Sequence, residues 1–370
     1  MKVKVIDNIG DFLQFEAQNV FQTVEWMRLF EGEEDTRVVL FAVYRNAQST
    51  KHRPQFLEVR DGENFQLLTC NSQLLLVQPV TIQRFVKCLP WRLGAYAVAW
   101  RAPWRAENIV DEEAIEAFRL MTVEIEKYCR KRALYIEYRH FSENNIYAST
   151  FNFCDKREQL SLLKLPSKAK ITINESNSQL STFNFQLPWY NIYREFEAGE
   201  DVAEQMKRDK RRQLKQSFEA GVEVVLEPTR EQIVEWYGLL KRLYRRIHRP
   251  LPSVDVFLRL NKSGIGRVFI VMYRGRVISG NAMLFHSSSL TPNSPLFYDW
   301  YRASVDVKIE GVYPSVVSTW QALQLVADMG GGRFDFMGAG PRNKEYGVRQ
   351  FKLEFGGNLT EEYRYRKYLF

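Results

Sequence analysis

The sequence has few of the residues that build metal sites and disulfide frameworks. Its 370 residues include four cysteines and four histidines, and no two cysteines have Cys-x-x-Cys spacing. Widely separated cysteines are typical of free thiols in a reducing compartment. The histidines are equally scattered, so we predict no metal site. No Ser/His/Asp or Cys/His arrangement stands out, which argues against chemistry through a nucleophilic side chain.

Long apolar runs are also missing. No run approaches the ~20 residues that a membrane-spanning helix needs. The first residues, 1–7, lack the apolar core of a signal peptide. These absences predict a cytoplasmic protein with no membrane span, and they leave peripheral contact with a membrane open.

Aromatic residues and positive charge are plentiful. The chain contains 25 Phe, 18 Tyr and 8 Trp, which suffices for large cores and leaves aromatic side chains for clefts. Taking ~150 residues per domain as a guide, the length favours two domains. The net charge of +8 favours anionic partners such as phosphates, nucleic acids or membrane surfaces, without choosing among them.

The second half of the chain shows a regular succession of elements. Thr229 and Gln232 have capping-box spacing and predict the start of a helix. A second helix is predicted at 253–260, and a third runs from Pro314 to a triple glycine. Apolar or alternating runs predict strands at 222–226, 267–273, 276–285, 296–303, 333–337 and 361–368. With a short helix near Lys352, this order lacks the strict alternation of a doubly wound fold.

The first half repeats this order in a weaker form. Strands are predicted at 2–6, 37–44, 55–60, 65–70, 95–100 and 133–139, and helices around 24–30 and at 111–132. A long helix followed directly by a strand occurs in both halves, which favours a structural duplication over two unrelated α/β units. We therefore predict domains at 1–165 and 206–370, joined by a polar crossover at 166–205.

A motif near the C-terminus places a cation between glycines. Residues 346–357 read YGVRQFKLEFGG and follow a glycine-rich strand end at 334–341. A lysine fixed at such a strand end, here Lys352, can anchor an anionic substrate or a developing oxyanion. A short helix with a solvated lysine would give the same local pattern. Asp335 is predicted to be structural, as a turn or helix-cap partner of the glycines that follow it.

Basic runs and an aromatic strand are further candidates. Residues 207–215 contain six cations and one acid, which predicts either a phosphate-binding helix or a solvated basic face. A second basic run at 242–249 is interpreted as a stabilised helix C-terminus. Residues 298–301 read YDWY, and alternation predicts that the first and third side chains share one face while the second and fourth share the other. Aromatic residues on a strand are also common in cores.

These stretches resemble the Fem-type branch of the GNAT acyltransferase superfamily, which includes the peptidoglycan interpeptide-bridge aminoacyl transferases. The likeness is specific over about residues 205 to 368 and lies in four segments, 207–224, 298–304, 320–338 and 347–356. The resemblance implies an α/β (α+β) protein with two tandem GNAT-like domains. Each domain would contain a mixed, mostly antiparallel sheet flanked by helices.

The resemblance also implies roles for individual residues. The lysine of the Phe-Lys pair matters for activity in Fem-type enzymes, which implies a catalytic role for Lys352, with Tyr301 and Asp299 as candidates for proton transfer. The residues implied in substrate binding are Arg211, Arg212, Lys215, Tyr298, Trp300, Arg342, Lys344, Tyr346 and Phe351. No metal ligand is implied.

The implied activity is direct acyl transfer to an amine. The donor, an aminoacyl-tRNA or an acyl-CoA, would act as a co-substrate, and no tightly bound cofactor is implied. The acceptor would be an anionic saccharide-peptide precursor of the cell envelope or a surface glycan, linked to a nucleotide or to a lipid. DNA is not an implied partner.

Two departures from the family keep alternatives open. Users of coenzyme A carry a [Gln/Arg]-x-x-Gly-x-[Gly/Ala] loop whose amides hold the pyrophosphate, whereas residues 307–314 read VKIEGVYP. Bridge enzymes commonly carry a coiled-coil arm for tRNA, and no heptad run is present. One alternative is a coenzyme A-dependent acyltransferase acting on an amino sugar or small amine. Another is a non-catalytic protein that binds RNA or anionic glycolipid.

Overall fold

One continuous sheet organises the described part of the molecule. The computed structural model describes residues 1–11, 15–45, 73–142, 146–151, 184–286 and 295–369. In chain order the strands are β1 (Lys2–Ile6), β2 (Thr36–Arg45), β3 (Gln73–Arg84), β4 (Ala95–Trp100), β5 (Trp104–Arg105), β6 (Tyr135–Ser142), β7 (Asn184–Phe196), β8 (Val222–Val225), β9 (Gly266–Tyr273), β10 (Arg276–His286), β11 (Leu296–Ser304), β12 (Gly332–Asp335) and β13 (Asn358–Tyr368). The strands predicted at 55–60 and 65–70 lie outside the described residues.

Helices flank this sheet. They are α1 (Val24–Leu29), α2 (Trp91–Gly94), α3 (Asp111–Arg130), α4 (Arg208–Glu219), α5 (Arg230–Arg246), α6 (Val254–Leu260), α7 (Pro314–Asp328) and α8 (Gly347–Leu353). The predicted capping box is confirmed, because Thr229 accepts from the amide of Gln232 and the Gln232 side chain accepts from the amide of Thr229. Among the described residues, no helix has the length and apolar character needed to cross a membrane.

The strand order shows that the two halves have the same arrangement. Along the sheet the order is β1-β2-β3-β4-β6-β13-β7-β12-β11-β10-β9-β8, with β5 beside β3. The pairs β4–β6 and β11–β12 are parallel, and the other strand pairs are antiparallel. Each half therefore has an antiparallel run, then one parallel pair, then a closing strand. The predicted mixed, mostly antiparallel architecture is confirmed, but the two sheets are joined into one.

The closing strands are exchanged between the halves. The C-terminal strand β13 lies against β6 of the first half, and β7 lies against β12 of the second. Since β7 falls inside 166–205, the predicted crossover contains a long strand that the sequence did not indicate. Pro188 had favoured a break there. However, β12 pairs with β7 only from Tyr193 to Phe196, and Pro188 lies beyond that pairing, where its carbonyl accepts from the Arg342 amide. The predicted domain limits stay a prediction.

Apolar packing also joins the halves. One buried cluster contains Phe21 and Trp26 of the first half together with Trp236, Phe257 and Tyr298 of the second. The ring centroids of Phe21 and Tyr298 lie 5.3 Å apart. Two other clusters fill the opposite face of each half, beneath α3 and α7. The shared cluster fixes the two parallel strand pairs relative to each other.

Candidate functional site

A cavity of about 310 Å³ lies where β11 and β12 separate. The parallel pairing of these strands ends at Tyr298 and Asp335. Beyond it the chain turns away through Met337 and Gly338, whose φ angles are 57° and 104°. The cavity is bounded by this turn, by the end of β11 and by residues of β4 and β6 from the first half. We call it the junction cavity because both halves line it.

Cations and aromatic rings make up much of the cavity wall. The lining cations are Arg139, Arg249, Lys352 and Arg364. The lining aromatic residues are Tyr96, Trp100, Trp189, Tyr244, Trp300, Tyr301 and Tyr346. No carboxylate is among the described lining residues. A cavity with four cations and no acid favours an anionic ligand.

Lys352 is buried in this wall. Its Nζ donates to the carbonyl oxygens of Phe336 at 2.6 Å and Gly338 at 2.8 Å. Burial lowers the pKa of Lys352 to about 8, although the Asp299 carboxylate opposes this shift. An ammonium group has three N–H donors, so one remains for a ligand in the cavity.

Side chains also satisfy the amides of the turn after β12. Asp335 accepts from the amide of Met337 at 2.7 Å, as predicted for a turn partner. Asn191 accepts from the amide of Gly338 at 2.6 Å and donates to Asp335 at 2.9 Å. With Lys352 on the carbonyls, this turn is held rigidly, and its amides at 337 and 338 are not free to bind a substrate oxygen.

A buried network connects this turn to the first half. Arg101 forms an ion pair with Asp335. His140 Nδ1 lies 2.9 Å from Glu362, which also accepts from Asn191 at 3.2 Å. Burial opposes ionisation of Glu362, but the His140 ring lowers the pKa of that carboxyl to about 2. The wall of the cavity therefore depends on groups from both halves.

Three arginines share one buried carboxylate behind the cavity. Glu137 lies 2.5 Å from Arg139, 2.6 Å from Arg366 and 3.8 Å from Arg364. Burial opposes the charge of Glu137, but these guanidinium groups hold its pKa well below the ordinary value. Burial, together with repulsion from Arg139, lowers the pKa of Arg364 to about 9. The cluster has an uncompensated positive charge at the cavity wall.

The aromatic strand does not alternate as predicted. A β-bulge in the pairing of β10 with β11 lies at Trp300, between the partners of Ala282 and Met283. Because of this extra residue, Tyr298, Trp300 and Tyr301 pack into the same cluster. Trp300 and Tyr301 line the cavity, whereas Tyr298 is fully buried. The predicted pairing of Tyr301 with Asp299 on one face is wrong.

Asp299 lies outside the cavity lining. It accepts from Asn281 at 2.9 Å and lies 3.4 Å from Arg302. Tyr301 lines the cavity, but burial raises its pKa well above the ordinary value. At neutral pH this phenol is therefore a proton donor, not a base.

The basic helix places its cations in solvent. Arg211, Arg212 and Lys215 are exposed and do not line the junction cavity. Arg212 lies 3.2 Å from Asp209, and Lys215 lies 3.7 Å from Glu219.

The basic helix nevertheless lies beside the helix of Lys352. Lys210 of α4 lies 3.3 Å from Glu354 and above the ring of Phe351. Phe351 itself packs on Phe355 and does not line the cavity. The solvated side chains of α4 are thus near the candidate site without entering it.

Of the loop residues predicted to bind substrate, one lines the cavity and two do not. Tyr346 lines the cavity mouth, and Lys344 is exposed outside it. Arg342 pairs with Glu361 at 2.5 Å and donates to the carbonyl of Trp189, so it ties the loop to β7 and β13. Of these three, only Tyr346 is placed to touch a bound ligand.

Several lining residues were not predicted. Arg139 and Tyr96 come from the first half, and Arg364 comes from the last strand. Arg249 belongs to the basic run that we had interpreted as a helix end only. The alternating cations at 364 and 366 could have indicated a charged site. However, Arg364 meets Arg139 only because β13 is exchanged and pairs with β6.

The start of α7 offers little to a pyrophosphate. The amide of Tyr313 donates to Ser217 of α4 at 2.9 Å. Pro314 is the first helical residue and has no amide hydrogen. A pyrophosphate bound at a helix N-terminus needs free backbone amides.

The chain matches several solved structures. No protein-family model matches the sequence, and no curated protein is significantly similar to it. FemX matches with a TM-score of 0.53 at 13% identity, covering 99% of this chain and 97% of FemX. A tandem GNAT protein from the clavulanic acid biosynthesis pathway gives 0.49 at 8% identity, covering 100% and 99%. L-PGS from Bacillus licheniformis gives 0.45 at 10% identity, covering 78% and 80%. The FemX match shows that this chain has the Fem-type GNAT-like fold.

Proposed function

We propose that this protein is an N-acyltransferase that transfers an aminoacyl or acyl group to an amine of an anionic cell-envelope precursor. The observation that carries the proposal is the junction cavity, which opens where two parallel strands separate and whose described lining residues include four cations and no carboxylate. The Fem-type fold supports the same reaction class. A peptidoglycan or surface-glycan acceptor would make this a cytoplasmic bacterial enzyme.

The chemistry needs little from side chains. A neutral amine attacks the carbonyl of an ester or thioester, a C–N bond forms, and the C–O or C–S bond of the donor breaks. The remaining N–H of Lys352 would meet the developing oxyanion, and the Arg364 guanidinium would bind the anionic acceptor. The Tyr301 phenol, which stays protonated at neutral pH, would protonate the leaving group and take up in its place the proton lost by the attacking nitrogen. Asp299 has no such role, since it lies outside the lining.

An aminoacyl ester is the donor that the geometry favours. The amide of Tyr313 is already bonded to Ser217, and Pro314 has no amide hydrogen. The position that usually binds the pyrophosphate of coenzyme A therefore lacks these two donors. The exposed cations of α4, beside the helix of Lys352, suit the phosphates of tRNA.

Transfer can be tested directly on the full chain. The protein is incubated with labelled aminoacyl-tRNAs or with acetyl-CoA, together with a nucleotide-linked muropeptide, and mass spectrometry follows the gain of one acyl group. We expect transfer from aminoacyl-tRNA. Transfer only from acetyl-CoA would overturn the donor assignment, and transfer from neither would overturn the function.

Two arginines on one strand provide a matched comparison. Arg364→Gln removes a lining cation and should raise the KM for the acceptor about tenfold, the scale of one hydrogen bond to a charged group. Arg366→Gln removes a cation that pairs with the same Glu137 but does not line the cavity. Equal KM changes in both variants would show that the cavity is not the acceptor site.

A further inference from the structure

Exposed apolar side chains border the mouth of the junction cavity. Ile247, Tyr346 and Val348 line it, and their exposed fractions are 48%, 41% and 43%. Apolar groups exposed together at the mouth of a cavity can form a contact surface for an apolar partner. We call these three residues the apolar rim.

The first half adds a second exposed apolar group, on a segment that contacts a residue of the cavity wall. The segment between β3 and β4, residues 85–94, contains a loop and the short helix α2 and exposes Phe85, Leu89 and Leu93 at 38%, 39% and 51%. The Phe85 ring lies 6.1 Å from the ring of Tyr96, which lines the cavity. The segment therefore begins at the cavity wall.

This segment has a defined shape. The Arg84 guanidinium donates to the carbonyl of Leu89 at 2.9 Å, and the amides of Phe85 and Val86 donate to the carbonyl of Gly94. A Cβ at Gly94 would lie 2.5 Å from the carbonyl oxygen of Val86, so only glycine fits there. The exposure of the two leucines is thus a feature of the folded segment.

Positive charge surrounds both apolar groups. Lys87 and Arg92 are exposed on this segment, and the exposed residues Arg245, Arg246 and Arg249 lie beside Ile247 in the sequence. Two of these cations have acidic partners, since Asp35 pairs with Lys87 and Asp306 pairs with Arg246, and Glu345 adjoins Tyr346 in the sequence. The balance is positive, like the net charge of the whole chain.

We propose that this face docks on a lipid bilayer with anionic headgroups. Exposed leucines flanked by cations suit the interface, where apolar groups enter the acyl boundary and cations meet the headgroups. A nucleic acid would use the cations but would gain nothing from Leu89 and Leu93. The purpose of the docking rests on the proposed function, since docking would bring a lipid-linked acceptor to the cavity mouth.

Vesicle sedimentation tests the docking without any turnover. The full chain should bind mixed phosphatidylcholine–phosphatidylglycerol vesicles more tightly than pure phosphatidylcholine vesicles, and added salt should weaken the binding. The double variant Leu89→Ser/Leu93→Ser should lose most of it. Arg92→Gln should weaken binding about fivefold, the share of one cation at an anionic surface.

A control variant removes apolar side chains of similar exposure elsewhere. Val123 of α3 and Val234 of α5 are 57% and 46% exposed, and neither lines the cavity. Val123→Ser/Val234→Ser should bind vesicles like the wild type. No preference for anionic vesicles, equal loss in the control, or binding of tRNA without binding of vesicles would overturn the proposal.

A second readout separates this proposal from the enzymatic one. The Leu89→Ser/Leu93→Ser variant should transfer to a soluble acceptor at the wild-type rate, because both leucines lie outside the cavity lining. Loss of soluble transfer in that variant would count against a docking role. Vesicle binding by a wild-type protein that shows no transfer would refute the enzymatic proposal and leave the docking intact.

Discussion

Lys352 Nζ lies 2.8 Å from the carbonyl oxygen of Gly338, so a helix and a glycine turn are joined at the wall of the junction cavity. A second bond, to the Phe336 carbonyl, closes the same turn. The sequence motif predicted a lysine that binds an anion. The structure shows that Lys352 also holds the cavity wall in place. Substitutions can separate this structural role from anion binding.

Replacing Lys352 should affect both folding and transfer. Lys352→Met leaves two carbonyls without their donor, and we expect a loss of about 1–3 kcal/mol in the free energy of unfolding. Transfer should fall to near background, because the remaining N–H no longer meets the substrate. Urea denaturation and the transfer assay measure the two effects. Lys241→Met, at an exposed position of α5, should change neither. A destabilised Lys352→Met with full kcat/KM would reduce Lys352 to a structural residue.

The pH dependence should move stability and activity in opposite directions. The pKa of Lys352 is about 8 in the folded protein and 10.5 as its ordinary value. Between these values the unfolded chain binds more protons, so this group makes the protein more stable as pH rises. The slope approaches about 1.4 kcal/mol per pH unit. Activity that needs the ammonium form should instead decline as pH rises through about 8.

Comparison with Lys352→Met isolates this titration. The difference in free energy of unfolding between wild type and variant, measured from neutral to mildly alkaline pH, should shift in favour of the wild type. A difference that stays flat with pH would mean that Lys352 titrates normally.

The ion pair between Arg101 and Asp335 should be important for stability because it joins the two halves. Asp335→Asn keeps the shape but leaves a largely buried guanidinium without its carboxylate, at a cost of about 3 kcal/mol. The exposed pair of Arg246 and Asp306 provides a control, and Asp306→Asn should cost less than about 1 kcal/mol. Thermal and urea unfolding give both values. Similar losses in the two variants would mean that the network does not couple the halves.

Local patterns predicted much of the fold. Alternation and capping identified α5, β9 to β11 and the glycine end of α7, because these features depend on neighbours in sequence. The strand β7 was missed because Pro188 signals a break. The strand can contain this proline because its pairing with β12 does not reach residue 188, which only the structure shows. The exchange of β7 and β13 likewise follows from the sheet order, which no local pattern contains.

The sequence predicted only those residues of the candidate site that belong to the second half of the chain. The motif pointed to Lys352, and the aromatic strand pointed to Trp300 and Tyr301, all of which line the cavity. The bulge at Trp300 was not predictable, because it is a property of the pairing with β10. Arg139 and Arg364 reach the cavity through tertiary packing alone. Charge runs in the sequence instead favoured α4, where Arg211, Arg212 and Lys215 are solvated.

Gly340 should control the position of Tyr346 at the cavity mouth. Its φ angle is 85°, and a Cβ there would lie 2.6 Å from the Tyr346 ring. Because Tyr346 is 41% exposed, the ring can move away, so Gly340→Ala should cost only the backbone strain of about 1–2 kcal/mol. The displaced ring should raise the KM for the acceptor several-fold by the loss of one aromatic contact.

Gly264→Ala supplies the matched control for this effect. Gly264 has a φ angle of 74°, and nothing lies within 4 Å of a Cβ built there. This variant should therefore lose a similar free energy of unfolding while its KM stays at the wild-type value. A KM that changes equally in both variants would trace the effect to backbone strain, and an unchanged KM in Gly340→Ala would remove Tyr346 from the acceptor site.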